Sequence, residues 1–134
     1  MTTYVDSSAL IKRYVEEPDS EYAEALLRSD DVLATSWLTV VEVRRNLARL
    51  FSGLSLTRAR DAAHADLDAM ALIQLDEQAG WASADIAETL GVRTLDAVHL
   101  AAAQRLRIPN LSFITFDLRQ GNAARLLGFR VLGC

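Results

Sequence analysis

The nine residues Tyr4-Val5-Asp6-Ser7-Ser8-Ala9-Leu10-Ile11-Lys12 decide how this chain folds. Tyr4 and Val5 are the core of a short apolar strand that begins near Thr3. Ser7 stands where a helix N-cap belongs, because its hydroxyl can accept one of the N–H groups that a helix start leaves unpaired. Ala9 to Val15 then continue as a helix. Strand, acid and helix follow one another without a linker, and Asp6 stands at the join.

The same order repeats outward from this unit. Glu17-Pro18-Asp19 interrupts, and a helix runs from about Glu21 to Arg28. Val32-Leu33-Ala34-Thr35 reads as a second strand. Ser36 is placed to cap a long helix, Trp37 to Phe51, which Gly53 ends, and Thr57 to cap another that reaches Met70. Ala71-Leu72-Ile73-Gln74-Leu75 is a third strand, and Gly91 closes the helix after it. Thr94 is read as the cap of a helix to about Leu106, beyond which Pro109 prevents continuation. Leu111-Ser112-Phe113-Ile114-Thr115 is a fourth strand. A last helix from Gln120 to Leu127 ends at Gly128, and Phe129-Arg130-Val131-Leu132 makes a fifth strand. Strands alternating with helices imply βαβ units, hence an α/β fold with a central parallel sheet of four to five strands covered on both faces. The strands are short apolar runs rather than alternating ones, as buried parallel strands should be.

Size and composition agree. With 134 residues, no repeats and no Pro/Gly-rich linker, one domain spanning residues 1–134 is expected. A hydrophobic content of 51% can build a core without disulfides or a structural metal. Cys134 has no partner cysteine, which fits a reducing compartment. The acidic N-terminus lacks the basic region of a signal peptide, and no apolar run approaches the ~20 residues that span a bilayer. A soluble, cytoplasmic protein is expected. The net charge of −4 excludes a whole-surface attraction to nucleic acid, so any such site must be local, built on bound metal or on some of the thirteen arginines.

In open parallel sheets, ligands bind beyond the carboxyl ends of the strands. Asp6 follows the first strand, and Asp117 follows Thr115 of the fourth by one residue. Asp96 lies in the first turn of the helix that begins at Thr94, and Glu42 interrupts the apolar run Trp37 to Val43. Singly, each has an ordinary role. Asp6 and Asp96 favour a helix dipole, Glu42 can face Arg45 or Asn46, and Asp117 suits a turn. Brought together they repel, at about 4 kcal/mol for two unit charges ~4 Å apart at an effective dielectric of 20. A fold tolerates this only if the acids take up protons or a cation neutralises them. An all-oxygen donor set without a histidine or cysteine cluster favours a hard ion, Mg²⁺ or Mn²⁺.

Three segments carry a family resemblance: Tyr4 to Lys12, Thr94-Leu95-Asp96-Ala97-Val98-His99-Leu100-Ala101-Ala102-Ala103, and Phe113-Ile114-Thr115-Phe116-Asp117. A fourth, Ser36 to Val43, carries a helical glutamate. Together, in order and across the whole chain, they resemble the motifs of PIN domains, and among these the VapC-type toxins of bacterial type II toxin–antitoxin modules. The resemblance implies a three-layer α/β/α fold with an acidic crevice holding Mg²⁺. It implies metal and catalytic roles for Asp6, Glu42, Asp96 and Asp117, with the Thr115 hydroxyl assisting. It also implies an endoribonuclease that cuts tRNA or rRNA to inhibit translation, a homodimer, and a VapB-like antitoxin partner. Two other readings stay open, an inactive PIN-fold binding module and a Mg²⁺-dependent phosphotransfer or phosphatase domain. Against the latter, a receiver needs paired acids and a late lysine, whereas here Ser7-Ser8 follows Asp6 and the lone lysine is Lys12.

The remaining polar and aromatic residues are assigned ordinary places. Arg13, Arg45, Arg49, Arg93 and Arg119 are expected to be surface charges, although Arg45 and Arg49 can follow an RNA path. His99 shares a helical face with Asp96 and is read as structural, and His64 as a surface residue. Trp37 and Trp81 are expected in core or dimer contacts.

Overall fold

The computed structural model describes residues 1–30 and 32–134. In chain order the elements are β1 (Thr2–Val5), α1 (Ser7–Leu10), a short 3-10 turn (Ile11–Arg13), α2 (Ser20–Leu27), β2 (Val32–Ser36), α3 (Trp37–Leu50), α4 (Gly53–Asp68), β3 (Ala71–Ile73), α5 (Glu77–Leu90), α6 (Thr94–Gln104), β4 (Ser112–Ile114), α7 (Leu118–Leu126) and β5 (Arg130–Leu132). The strands form one parallel sheet in the order β3-β2-β1-β4-β5. The chain therefore winds outward from β1 to one edge, then crosses to the other side of β1 for β4 and β5.

Alternation along the strands divides the core. Tyr4 and Phe113 face one side, where they meet Leu100, Ala101, Ala123 and other side chains of α5, α6 and α7. Val5 and Ile114 face the other side and pack against Leu10, Leu27, Val43, Leu47 and Leu67 from α1 to α4. Two apolar clusters cover the two faces of one sheet, and the result is a three-layer α/β/α arrangement. Among the described residues, no helix is long and apolar enough to cross a membrane.

Several helix starts differ from the sequence reading, each for a local reason. Asp6, not Ser7, caps α1, because its carboxylate reaches the Ser8 N–H at 2.5 Å. That helix lasts one turn and tightens into the 3-10 turn instead of reaching Val15. Gly53 opens α4 rather than ending α3. At φ +58° it turns the chain directly into the new helix, and the Thr57 hydroxyl donates back to its carbonyl instead of capping. Thr94 is already helical, after a cap at Arg93 that makes no side-chain cap bond. Helix α7 starts at Leu118, two residues before the expected Gln120, because Asp117 caps it, accepting from the Arg119 and Gln120 N–H groups at 2.9 and 3.2 Å.

Candidate active site

The switch between β1 and β4 sets the site. Their register pairs Val5 with Ile114, and the Asp6 N–H donates to the Ile114 carbonyl at 3.0 Å. Asp6 and Thr115 thus leave the sheet side by side. The Thr115 hydroxyl, fully buried, donates to Asp6 Oδ2 at 2.6 Å. It also accepts from the Asp117 N–H at 3.1 Å and lies 3.2 Å from the Ser8 hydroxyl, which itself accepts from the Phe116 N–H at 2.9 Å. Two segments of backbone, 6–8 and 115–117, are tied at this point.

Above it opens a cleft of about 330 Å³ whose lining includes Asp6, Glu42, Asp96 and Asp117. The four acids, spread over 112 positions of sequence, are brought to one crevice at the carboxyl end of the sheet. Thr115 lies beneath Asp6. Ser7 and Ser8 are also in the wall.

The repulsion expected among these acids is answered by the chain itself. The Arg93 guanidinium spans Asp96 (Nε–Oδ2, 3.1 Å) and Asp117 (Nη2–Oδ2, 3.2 Å). Glu42, expected to face Arg45 or Asn46, instead meets His99, with Nε2 2.6 Å from Oε1. Nδ1 of His99 lies 2.8 Å from the buried Tyr4 hydroxyl. Burial alone pushes the His99 pKa down, but the Glu42 hydrogen bond and the charges of Asp6, Glu42 and Asp96 outweigh it and leave it raised. Glu42 behaves reciprocally: burial pushes its carboxyl up, while the His99 bond and charge bring it below its ordinary value. Asp6 stays raised because burial exceeds the help of His99, Thr115 and Ser8.

Among the described residues, no three His, Cys, Asp or Glu side chains stand close enough to hold an ion as they are. The donor set still suits a hard dication: carboxylates and hydroxyls surround the cleft, and the group across Asp96 and Asp117 is a flexible, largely exposed arginine.

Two functional candidates escaped the sequence reading, since Arg93 was taken for a surface charge and His99 for a structural residue. Their spacing was the available signal, as they stand three before and three after Asp96, on its helical face. The other arginines lie elsewhere. Arg13 pairs with Glu24 and Asp66, and Arg49 leans on Asn46. Arg119 borders a neighbouring pocket that shares Arg93 and Asp96 with the cleft. Trp37 and Trp81 are exposed rather than in the core. His64 is a surface residue beside Asp68.

A parallel sheet with acids gathered at the carboxyl ends of its strands and charged side chains over them defines a class of α/β protein whose crevice suits a charged ligand. Comparison with known proteins identifies the family. The model of the PIN domain family matches residues 3–126. Ribonuclease VapC46 of Mycobacterium tuberculosis is 39% identical over 132 residues, covering 96% of this chain and 95% of that one. Among solved structures, a toxin–antitoxin complex from Klebsiella pneumoniae superposes with a TM-score of 0.73 at 20% identity, covering 97% and 95% of the two chains. M. tuberculosis VapC20, a sarcin–ricin-loop-cleaving toxin, gives 0.71 at 18% identity, covering 100% and 98%. The chain belongs to the PIN domain family, among the VapC-type ribonucleases.

Proposed function

We propose that the protein is the toxin of a VapBC-like toxin–antitoxin module, a Mg²⁺-dependent endoribonuclease that cuts tRNA or rRNA and so arrests translation. The observation that carries this reading is the convergence of Asp6, Glu42, Asp96 and Asp117 on one cleft. Its relatives' names and the antitoxin-bound neighbours support it. The whole of residues 1–134 is taken as one nuclease domain, acting as a homodimer held in check by a VapB-like partner.

In this mechanism Asp6, Asp96 and Asp117, with Glu42 beside them, would hold Mg²⁺ or, in its place, Mn²⁺, which would supply Lewis-acid stabilisation of charge on the scissile phosphate. Asp6 is oriented for this by Thr115 and by the Ser8 N–H. Glu42 orients the attacking water and takes its proton as the water oxygen bonds to phosphorus; the P–O3′ bond breaks and the departing oxygen takes a proton from solvent, leaving a 5′-phosphate and a 3′-hydroxyl. Arg93 leaves Asp96 and Asp117 for the RNA backbone, where a planar guanidinium pairs well with phosphate. An acidic protein thereby meets an anionic polymer at one local site.

The test is cleavage of total RNA by the purified protein. Activity should stop in EDTA and return with Mg²⁺ or Mn²⁺, and Asp6→Asn should abolish it while leaving the circular dichroism spectrum unchanged. Full activity in chelator, or in Asp6→Asn, contradicts the mechanism. Sequencing of RNA ends after brief induction identifies the target, and rescue of growth by the co-expressed partner tests the toxin role.

A further inference from the structure

His99 is 3% exposed and both of its ring nitrogens are engaged. Neither is therefore available to a metal. Glu42 in its ionised form is an acceptor only, so the Nε2–H of His99 donates to it. On the far side of the ring, Nδ1 meets the hydroxyl of Tyr4, a wholly buried residue of the central strand. Tyr4 is itself fixed: its ring stacks on Phe113 with centroids 5.1 Å apart and meets the imidazole edge-on at 6.0 Å. A continuous line of contacts runs from the centre of the sheet, through α6, to a carboxylate on α3.

Such a line has a purpose at this place. Glutamate has a long, freely rotating side chain, and holding it in one rotamer costs entropy that a single exposed contact does not offset. Glu42 projects from the middle of α3 into the cleft wall, half-buried, and among the described residues its ion-pair partner is His99 of α6 rather than a residue of its own helix. A buried imidazole that cannot itself rotate removes that freedom, as the outer partners of a metal site orient its inner ligands.

We propose that Tyr4 and His99 form a positioning relay for Glu42, in which His99 aims the carboxylate at the scissile phosphodiester and Tyr4 locks the imidazole. His99 is a positioning residue, because its buried ring meets Glu42 on one side and Tyr4 on the other and acts through Glu42. The assignment deepens the nuclease reading and rests on it for its catalytic consequence, while the relay itself exists without substrate or metal.

The experiment has two arms. The first uses metal-free protein labelled with ¹⁵N-histidine. The chain has only two histidines, and exposed His64 serves as the internal control. Glu42→Gln should move the Nε2 resonance of His99, Tyr4→Phe should move Nδ1, and neither should move His64. His99 resonances indifferent to both substitutions overturn the relay, whatever the protein does to RNA. The second arm is steady-state cleavage. His99→Leu should lower kcat by about 10–100-fold, the usual effect of removing such an outer partner, with KM unchanged. His99→Gln, whose amide N–H stands near the position of Nε2–H, should recover most of that loss, and Tyr4→Phe should give a smaller fall with full folding. Wild-type kcat in His99→Leu or, should that variant not fold, in Tyr4→Phe overturns the positioning role. So does a well-folded His99→Gln as inactive as the leucine variant. If the wild-type protein cleaves no RNA under any metal, the nuclease reading fails, and the first arm still judges the relay.

Discussion

Thr115→Val removes one oxygen from the best-connected point of the site and changes the side-chain shape very little. The Thr115 hydroxyl donates to the buried Asp6 carboxylate at 2.6 Å and accepts from the Asp117 N–H at 3.1 Å. A hydrogen bond to a charged group contributes about 1.5–3 kcal/mol, and leaving a partly buried N–H without its acceptor costs about 1 kcal/mol more. The expected loss is roughly 2–4 kcal/mol of folding free energy. At this chain length 1 kcal/mol moves the melting point by roughly 3–5 °C, so Tm should fall by roughly 6–20 °C. Urea unfolding followed by far-ultraviolet circular dichroism measures the loss, and an unchanged m-value shows that the same surface is exposed in both proteins. Thr115→Ser keeps the hydroxyl and should recover most of the stability. Combining Thr115→Val with Asp6→Asn should cost less than the sum of the two, because both act on one bond. RNA cleavage should fall with the loss of the donor, since Asp6 then loses both its orientation and one of the groups that favour its ionised form. A Thr115→Val protein within about 0.5 kcal/mol of wild type, the range of an ordinary surface change, refutes the reasoning.

Three further outcomes are expected. The His99–Glu42 pair should contribute to the stability of the metal-free protein within a bounded pH window. The raised pKa of His99 means its contribution is full below its ordinary 6.5 and is lost as pH rises through the folded value. The lowered pKa of Glu42 means its contribution is full above its ordinary 4.5 and is lost as pH falls through the folded value. The difference in urea midpoint between wild type and His99→Leu should therefore be largest between these values and shrink on both sides; a flat difference counts against the pair. Gly133 has φ +107°, and a Cβ there would stand 2.3 Å from the Thr115 carbonyl oxygen. Gly133→Ala should cost at least about 2 kcal/mol, from the strained φ and the displaced backbone together, and an unaltered Tm would contradict that packing. Arg93→Gln frees two carboxylates from their guanidinium, so Mn²⁺ titrated calorimetrically should bind more tightly than to wild type; weaker binding would show that Arg93 assembles the acids rather than shielding them.

The order of strands and helices was legible because each strand is a short apolar run next to a polar helix start, and that signal is local. The exact helix starts were not. Asp6 and Asp117 each offer a carboxylate two residues before an N–H that needs an acceptor, and they displaced Ser7 and the expected start near Gln120 from those roles. Gly53 reads as a stop by composition, yet its left-handed φ lets it open the next helix. The acids could be nominated from their positions relative to the strands, because a parallel sheet sends all its carboxyl ends the same way. What Glu42 touches could not be nominated. Its partner is 57 residues away, on a helix from the opposite side of the sheet, and the expected partners one turn along α3 were nearer in sequence only.

The electrostatics of the cleft divide it into two unlike halves. Asp96 and Asp117 share the single positive charge of Arg93, whose side chain is 64% exposed and, among the described residues, pairs with these two acids. Glu42 is hydrogen-bonded to His99, which is buried and held on its other side by Tyr4. A hard cation entering from solvent can displace the first partner at little structural cost, because an arginine at the surface regains water as it leaves. It cannot displace the second without opening the core. Three of the four acids are thus engaged by side chains of the protein itself, and the fourth, Asp6, is held by the Thr115 hydroxyl and the Ser8 N–H. On the proposed nuclease reading, the half of the cleft at Asp96 and Asp117 would exchange a guanidinium for a dication and an RNA phosphate, while the half at Glu42 would stay where it is.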